Sequence, residues 1–540
     1  VQTTNGIAFT VRYGYTLAGQ LSSVTYPDGA VASYVRDAQG RTTQVNVQRV
    51  GAASEVLLNQ ASYAPFGPVA GWTYGNGRQL SRPLNQNYQP TAIHDAGTGG
   101  LSVGFAYDAV GNLTQLTPAG SSTPLVKFDY DALSRLTAFK DGPTEVAIES
   151  YAYDATGNRT TFTNASGTQA YTYPATSHRL SQVGATTRTY DNAGNTTAIG
   201  GTAKEFVYDD TGRMSQVKLN AVVQRSYAYN GKGEQVRKSL GTANTYTVYD
   251  EAGHWLGDYD TTGAALQQAI WLDDLPVGLI ANGNQLHYVE PDHLGTPRVV
   301  IEVARNVPVW SWDLKSEAFG NSVPNQNPDG DANPLVFDMR FPGQRYDAAS
   351  GLNQNGYRDY DPIGRYVESD PIGLHGGMST YSYVMGTPVN AYDFYGLAPN
   401  CRMEAAPQTG WYSSGQTRKT TLRNQPLYIP VCVPLLPKFG SPGPEDFGPD
   451  PKQYMRTRKM LPSRSPPIPI EFTWKCKDLY YHKYILEAQE LMDISNAYVC
   501  RDNCGNVTSR DFISPYKASR WVSQGEHWEI VSGPEYLVNE

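Results

Sequence analysis

"YDAVGN" (Tyr107–Asn112), "YDATGN" (Tyr153–Asn158) and "YDDTGR" (Tyr208–Arg213) are copies of one short pattern, Tyr-Asp-x-x-Gly followed by a polar residue. In each copy an alternating strand ends on Tyr, Asp opens a turn, and Gly takes a backbone conformation that other residues avoid. A hairpin of this length cannot bury a face by itself, so the copies must stack side by side. The pattern therefore predicts an extended, curling β-sheet. Further copies begin at Tyr130, Tyr190, Tyr229 and Tyr249.

The composition agrees with a turn-rich β protein. Among 540 residues there are 38 Tyr and 52 Gly, and only 17% of residues are charged. No apolar run reaches the roughly 18 residues that a membrane helix needs, because Asp273 and Asp274 interrupt the best candidate, 269–281. The residues that follow Val1 do not form a basic-then-apolar leader, so no secretion signal peptide is expected.

The chemistry of the chain changes near residue 397. Residues 1–397 carry 26 basic and 36 acidic side chains, whereas residues 398–540 carry 17 and 15. A mildly basic tail is compatible with nucleic acid as a partner, although so small an excess does not decide it. We therefore expect two proteins joined at this border. All five cysteines follow it: Cys401, Cys432, Cys476, Cys500 and Cys504.

The repeats resemble those of RHS/YD-repeat proteins. Three later blocks resemble the core associated with that family: "PDHLGTPR" (Pro291–Arg298), "RFPGQRYDAASGL" (Arg340–Leu352) and "YRDYDPIGRYVESDPIGL" (Tyr357–Leu374). The resemblance covers most of the chain before residue 398. It implies that the repeat sheet winds into a hollow shell or barrel-like cocoon around a variable C-terminal toxin. It also implies that the core closes the shell and cuts the toxin off.

These observations predict a mainly β chain with four parts. Residues 1–287 would form the YD-repeat β-shell and residues 288–397 the RHS-associated core. Residues 398–470 would form the Pro-rich start of the tail, since 12 prolines fall within 426–469. Residues 471–540 would form a small α+β domain, with a helix over 478–496 where Tyr481, Ile485, Ala488 and Met492 recur on one face.

Two carboxylates are the candidate catalytic residues, Asp370 in "SDPIGL" and Asp393 in "YDFYGL". Carboxylates held close together cannot both ionise, so such a pair can activate water and protonate a leaving amide nitrogen. From the residues alone, two ordinary turn openers are the alternative. The resemblance implies a self-cleaving aspartyl protease that cuts between Leu397 and Ala398. Phe394 stands where the family usually has Pro, which would fix the turn that aims Asp393.

Other candidates are weaker. Arg358 and Arg365 are candidates to pair with the carboxylates and tune their titration, and Asp361 is a third acidic residue nearby. Structural roles are the alternative for all three. In the tail, His527 and Glu529 in "GEHWEI" are candidates for acid/base cleavage of a phosphodiester, as in a nuclease, with a structural histidine as the alternative. No metal or other cofactor is expected, because the spacing of the cysteines is too loose for a zinc site.

The resemblance implies a toxin carrier, made in a bacterial cytoplasm and secreted to act in rival or host cells. Its implied partners are its own tail, held non-covalently after cleavage, a cognate immunity protein, a secretion-spike or adaptor protein of a type VI system, and a chaperone. Nucleic acid is a candidate target of the tail. Two alternatives remain: a non-enzymatic cell-surface YD-repeat adhesion or assembly protein, and the shell subunit of an insecticidal toxin complex.

Overall fold

The structure is a computed structural model of the chain. It describes residues 1–65, 67–315 and 317–397 with their side chains, and beyond these the backbone of nine strands. The chain divides into two compact units, Val1–Pro399 and Asn400–Glu540. Within the described residues there is no α-helix. Nor does any described helix have the length and apolar character needed to cross a membrane.

The first unit consists almost entirely of short strands and turns. Its three short 3-10 helices are Gly201–Ala203, Gly373–Gly376 and Val384–Gly386. Its strands are β1 Gln2–Thr4, β2 Ile7–Phe9, β3 Arg12–Tyr15, β4 Leu21–Thr25, β5 Val31–Arg36, β6 Thr42–Gln48, β7 Ser54–Tyr63, β8 Val69–Tyr74, β9 Gln79–Ser81, β10 Ala92–Asp95, β11 Ser102–Tyr107, β12 Leu113–Pro118, β13 Val126–Tyr130, β14 Leu136–Asp141, β15 Ala147–Tyr153, β16 Arg159–Asn164, β17 Gly167–Thr172, β18 Gln182–Val183, β19 Thr186–Tyr190, β20 Thr196–Ile199, β21 Lys204–Tyr208, β22 Met214–Leu219, β23 Val222–Tyr229, β24 Gln235–Leu240, β25 Ala243–Tyr249, β26 Trp255–Tyr259, β27 Ala265–Leu272, β28 Leu275–Ala281, β29 Gln285–Pro291, β30 Pro297–Glu302, β31 Val307–Ser311, β32 Gln344–Asp347, β33 Leu352–Asn355, β34 Arg358–Asp361 and β35 Arg365–Tyr366.

One antiparallel ladder runs from β3 to β31, each strand pairing with the next along the chain. The predicted β-sheet is confirmed. The ladder continues past residue 287, the predicted limit of the shell, as far as Ser311. Strands β1 and β2 form a separate hairpin, and β32–β35 form a separate sheet of four strands.

The repeated aspartate organises the hairpin turns, and in the copy at Tyr229, Asn230 takes its place. Asp154 Oδ1 accepts the backbone N–H groups of Thr156 and Asn158, at 2.8 and 2.9 Å, and Asp154 Oδ2 accepts the side-chain amide of Asn158 at 2.8 Å. Gly157 has a φ of 87°, a left-handed conformation that glycine adopts without strain. One carboxylate thus satisfies the amides that the sharp turn would otherwise leave unpaired.

In several repeats the tyrosine joins its hairpin to an earlier one. The hydroxyl of Tyr208 donates to the carbonyl of Thr196 at 3.0 Å, and that of Tyr229 donates to Met214 at 2.9 Å. In both cases the acceptor lies two residues after the glycine of an earlier turn. We call this series the tyrosine ladder. Its other members are Tyr63 to Thr42, Tyr130 to Leu113, Tyr173 to Arg159 and Tyr249 to Gln235.

The curling sheet brings its first strands against its last. The Tyr26 hydroxyl, just after β4, donates to the carbonyl of Ala269 in β27 at 2.6 Å. The Tyr74 hydroxyl, at the end of β8, donates to Val289 in β29 at 2.7 Å. The buried Arg82 donates to the carbonyls of Pro291 and Asp292, at 2.8 and 2.9 Å. We call this line of contacts the seam.

Residues 312–397 pack against the middle strands of the sheet. The backbone N–H of Leu113 donates to Asn390 Oδ1 at 2.7 Å, and Arg213 donates to the carbonyl of Gly356 at 2.7 Å. Strands β33, β34 and β35 are buried along their whole length. The large buried tyrosines of this segment are Tyr360, Tyr366 and Tyr383. The sheet therefore supplies an enclosed, rigid setting for residues 357–397.

In the second unit the described residues are all β rather than α+β. In place of the helix predicted over 478–496, the structure has β39 and β40, since the Tyr-rich and Ile-containing stretch suits a paired strand. The Pro-rich segment lies outside the described residues beyond residue 435. The strands are β36 Cys401–Ala405, β37 Tyr412–Ser413, β38 Thr420–Leu435, β39 Thr473–Leu486, β40 Gln489–Ile494, β41 Asn496–Arg501, β42 Val507–Phe512, β43 Tyr516–Trp521 and β44 Gly525–Asn539.

Candidate functional site

Asp370 lies in a turn that follows β35. Its Oδ1 accepts the backbone N–H of Ile372 at 3.0 Å, and the N–H of Gly373 donates to the Asp370 carbonyl at 2.9 Å. The same Asp-x-x-Gly turn that occurs in the repeats therefore occurs again within residues 312–397. Unlike most repeat aspartates, however, Asp370 is only 6% exposed.

Asp393 lies in a second turn of the same kind. Its Oδ1 accepts the backbone N–H of Leu397 at 2.9 Å, and Gly396 has a φ of 66°. The turn packs beside the loop between β33 and β34, where the N–H of Tyr357 donates to the carbonyl of Tyr395 at 2.7 Å. Asp393 and Leu397 are both completely buried, at 1% and 0% exposure.

Arg358, at the start of β34, joins the two turns. Its Nη2 lies 2.8 Å from Asp370 Oδ2 and 3.3 Å from Asp393 Oδ2. The same nitrogen donates to the carbonyl oxygen of Leu397 at 3.2 Å, while Nε donates to the carbonyl of Gly396 at 2.6 Å. One guanidinium thus holds both carboxylates and the carbonyl at the predicted cleavage point.

Two further side chains complete the site, and sequence reasoning missed both. The Tyr366 hydroxyl lies 2.8 Å from Asp393 Oδ2 and 2.9 Å from Asn355 Oδ1. The Arg358 guanidinium lies over the Tyr366 ring, 3.6 Å from its centroid. The only signal in the sequence was that Tyr366 falls inside the "GRYVESDPIGL" block, four residues before Asp370.

Gly376 allows the backbone to come close to the site. A Cβ atom at this position would lie 2.2 Å from Asp370 Oδ2 and 2.6 Å from the Leu397 carbonyl oxygen. No real side chain fits at those distances. The carboxylate and the carbonyl therefore lie beside each other, facing a backbone that carries no side chain.

Burial and charge act against each other on Asp370. Burial raises the pKa of Asp370 to about 7, and the positive charge of Arg358 opposes that rise. A carboxyl group with this pKa exchanges its proton near neutral pH, as a catalytic acid or base must.

The remaining predicted residues lie elsewhere. Arg365 donates to the Tyr173 hydroxyl at 3.0 Å and to the His178 carbonyl at 2.9 Å. Asp361 forms a buried ion pair with Arg188 at 2.6 Å. Both therefore attach the core to the sheet and do not touch Asp370 or Asp393.

Three predicted positions lie at or beyond the border. Ala398 lies outside the described residues. His527 and Glu529 fall on β44, opposite Tyr484 and His482 in the ladder with β39. No group of three His, Cys, Asp or Glu residues arranged to hold a metal ion occurs in the part of the chain whose side chains are described.

The arrangement has the parts that peptide hydrolysis needs. Two carboxylates near one carbonyl supply a base and an acid, and a guanidinium supplies positive charge where an oxyanion would develop. All of these groups are buried, so their electrostatic interactions are little screened by water.

Known proteins with similar sequences match this chain over only part of their own length. The chain is 44% identical over 90 residues to the putative uncharacterized protein YlbH of Escherichia coli, which covers 16% of this chain and 36% of YlbH. It is 27% identical over 254 residues to double-stranded DNA deaminase toxin A of Burkholderia cenocepacia, covering 40% of this chain and 17% of that toxin. The chain thus spans less than half the length of these relatives.

The fold also has known counterparts. A crystal structure of TcdB2-TccC3 superimposes with a TM-score of 0.57 at 18% identity, covering 72% of this chain and 22% of that one. The sequence model of the Teneurin YD-shell family matches residues 86–395, which is more than half of the chain. These residues contain the repeats from Tyr107 onward, Arg358 and both carboxylates of the site. The chain belongs to the Teneurin YD-shell family.

Proposed function

We propose that this chain is a toxin carrier whose first 397 residues enclose the tail and cut it free between Leu397 and Ala398. The observation that carries the proposal is the meeting of Asp370, Asp393 and the Leu397 carbonyl at Arg358. The tail that follows has its own composition and forms a separate compact unit. A cut at this border would release it whole.

The reaction is hydrolysis of one peptide bond. A water molecule attacks the Leu397 carbonyl carbon while the ionised carboxylate of the pair takes one of its protons. Arg358 Nη2, 3.2 Å from the carbonyl oxygen, stabilises the negative charge that develops there. The carbon–nitrogen bond then breaks as the protonated carboxyl gives its proton to the nitrogen of Ala398. The products are the carboxylic acid of Leu397 and the amine of Ala398, and the acid then gives its proton to the amine.

The tail is the part that acts on the target cell, and nucleic acid is its proposed substrate. This is supported by the relative named as a double-stranded DNA deaminase toxin and by the basic excess of the tail. In this proposal the carrier is exported from a bacterium by a secretion spike or adaptor. The producing cell is protected by an immunity protein that binds the tail.

The cut is tested on the purified full chain. Under denaturing conditions the protein should run as two fragments, residues 1–397 and 398–540, that stay associated when folded. Asp370→Asn and Asp393→Asn should each leave the chain intact, because an amide can neither take nor give the required proton. Asp361→Asn is the matched control, since Asp361 lies in the same kind of turn but pairs with Arg188. Normal cleavage in both the Asp370 variant and the Asp393 variant would exclude the carboxylate mechanism.

The tail's activity is tested in cells. Bacteria producing the full chain without its neighbouring genes should stop growing and show damaged or edited DNA. Cells producing the Asp393→Asn chain should grow normally, because the tail is not released. Equal growth arrest with intact DNA in both strains would remove nucleic acid as the substrate and release as the trigger.

A further inference from the structure

The side-chain amide of Asn355 has only one orientation that satisfies its neighbours. Its Nδ2 donates to two backbone carbonyls, those of Asp393 at 2.9 Å and Phe394 at 3.0 Å. Carbonyl oxygens only accept hydrogen bonds, so the amide nitrogen must face them. Asn355 Oδ1 is thereby fixed on the opposite side, toward Tyr366. Gln344 Nε2, 3.3 Å from Oδ1, donates to it as well.

The Tyr366 hydroxyl has one proton and two close oxygen neighbours. Asn355 Oδ1, at 2.9 Å, can only accept, so the hydroxyl proton points toward it. Asp393 Oδ2 lies 2.8 Å from the same hydroxyl oxygen. Two oxygens this close and buried need a proton between them, and Tyr366 has none left to give. The proton in that contact must come from the carboxyl group.

We propose that the carboxylate pair keeps its proton on Asp393 Oδ2 and its negative charge on Asp370, and that Tyr366 and Asn355 are the positioning residues that fix this order. What this arrangement of proton and charge implies for cleavage rests on the proposed function. The position of the proton rests only on the hydrogen bonds around Asn355 and Tyr366. The contacts with Arg358 agree, since its Nη2 is closer to Asp370, at 2.8 Å, than to Asp393, at 3.3 Å.

The surrounding charges are compatible with this order. Asp393 Oδ1 accepts the N–H of Leu397 at 2.9 Å, and the carbonyl oxygen of a neutral carboxyl group also accepts such a bond. Burial raises the pKa of Tyr366 and of Tyr383 well above the usual range, so both stay neutral. The titratable groups that face the pair are Arg358, Tyr366, His375 and Tyr383.

The order assigns one role to each carboxylate. Asp370, ionised and beside the Leu397 carbonyl, is the base that takes a proton from water. Asp393, which carries the proton, is the acid that gives it to the nitrogen of Ala398. After the cut the proton taken by Asp370 replaces the one lost from Asp393, so the pair ends with the same number of protons.

Difference infrared spectroscopy of the full-length protein tests the proton's position without relying on cleavage. Subtracting the spectrum of Asp393→Asn from that of the unaltered protein isolates the carbonyl band of the pair's neutral carboxyl, because other buried acids cancel. In Tyr366→Phe this band should move to higher frequency, since the carboxyl loses its acceptor. Tyr360→Phe is the matched control. It removes an equally buried hydroxyl, bonded to the Phe319 carbonyl at 2.8 Å, and should leave the band in place.

An unmoved band in Tyr366→Phe would place the proton on Asp370 and overturn the proposal. The absence of any neutral carboxyl band would overturn it as well.

Neutron diffraction from crystals of the deuterated protein gives a second measurement that needs no variant. Deuterium should appear on Asp393 Oδ2, and the Tyr366 deuterium should point to Asn355. A band that behaves as expected in a chain that never cleaves would uphold the proton order while rejecting the proposed function. In a cleaving chain, Tyr366→Phe should slow the cut by about 10- to 100-fold.

Discussion

A single kind of aspartate does three different things in this molecule. Asp154 closes a hairpin with both of its oxygens, Asp361 ties the core to the sheet through Arg188, and Asp370 and Asp393 face one another across Arg358. In the last three residues Oδ1 still serves the local turn. A structural aspartate differs from a candidate catalytic aspartate in the group that its Oδ2 atom contacts.

Replacing Gly376 by Ala should stop cleavage without unfolding the chain. The added methyl group would lie 2.2 Å from Asp370 Oδ2 and 2.6 Å from the Leu397 carbonyl oxygen, so one of them must move. Gly231→Ala is the control, because nothing lies within 4 Å of its Cβ position. Gel analysis gives the extent of the cut, and circular dichroism checks the fold. Normal cleavage of the Gly376 variant would contradict the site.

The cut should slow as the pH falls below about 7. Burial raises the pKa of Asp370 to about 7, so this carboxyl is ionised above that pH and protonated below it. Because only the ionised form can take a proton from water, the rate should fall roughly tenfold per pH unit on the acid side. The full chain, made by cell-free synthesis and shifted to buffers of different pH, gives the rate from the fragments formed. A rate that rises steadily as the pH is lowered from 7 would contradict the role of Asp370.

At this scale the sequence is informative only in part. The turns "YDPIGR", "SDPIGL" and "YDFYGL" look alike, and the choice of Asp370 and Asp393 came from a resemblance. Arg358 contacts both carboxylates, whereas Arg365 contacts neither. This difference depends on how β33, β34 and β35 pair with one another and pack against the sheet. Such long-range packing leaves no local pattern in the sequence.

Among the elements, the hairpin turn is the one whose sequence dictates its structure most directly. Its aspartate and its left-handed glycine each satisfy a need that the turn itself creates, and its tyrosine can reach back to an earlier turn. The stretch 473–494 shows the opposite case, since residues spaced for one face of a helix there form β39 and β40. Tyrosine and isoleucine are common in strands, and β39 is paired on both sides, with β38 and with β44.

Asp209→Ala should destabilise the first unit by about 1–2 kcal/mol. Asp209 Oδ1 accepts the N–H groups of Thr211 and Arg213 at 2.9 and 3.0 Å, and both would lose their partner. The neighbouring Asp210 is exposed, so Asp210→Ala should change the free energy of unfolding by less than about 0.5 kcal/mol. Urea denaturation of both variants measures the difference. Equal effects would show that turn preference, and not this carboxylate, matters.

Over the whole first unit, local repeats and a distant seam act together. The tyrosine ladder connects hairpins that are close in sequence, whereas the seam connects strands more than two hundred residues apart. A stack of repeats alone would unfold from its ends. The seam ties its first strands to its last, so we expect residues 1–397 to unfold as one cooperative unit.

Arg82→Met should weaken that cooperativity. The guanidinium of Arg82 donates to the carbonyls of Pro291 and Asp292, both buried, and the variant would leave these oxygens without that donor. We expect a loss of roughly 2–4 kcal/mol in the free energy of unfolding and a broader transition. Arg12→Met, at an exposed position of β3, is the control. An unchanged, sharp transition in the Arg82 variant would mean that the seam does not couple the ends of the sheet.

The tyrosine ladder has a direction. Tyr208 reaches the carbonyl of Thr196, 12 residues earlier, and every bond in the series points back toward the amino end. A chain emerging from the ribosome therefore presents each new tyrosine to an acceptor that has already been synthesised. Through this series the sheet can lengthen in step with translation, one tyrosine bond at a time, whereas the bonds of the seam form only after residues 269–292 have been made.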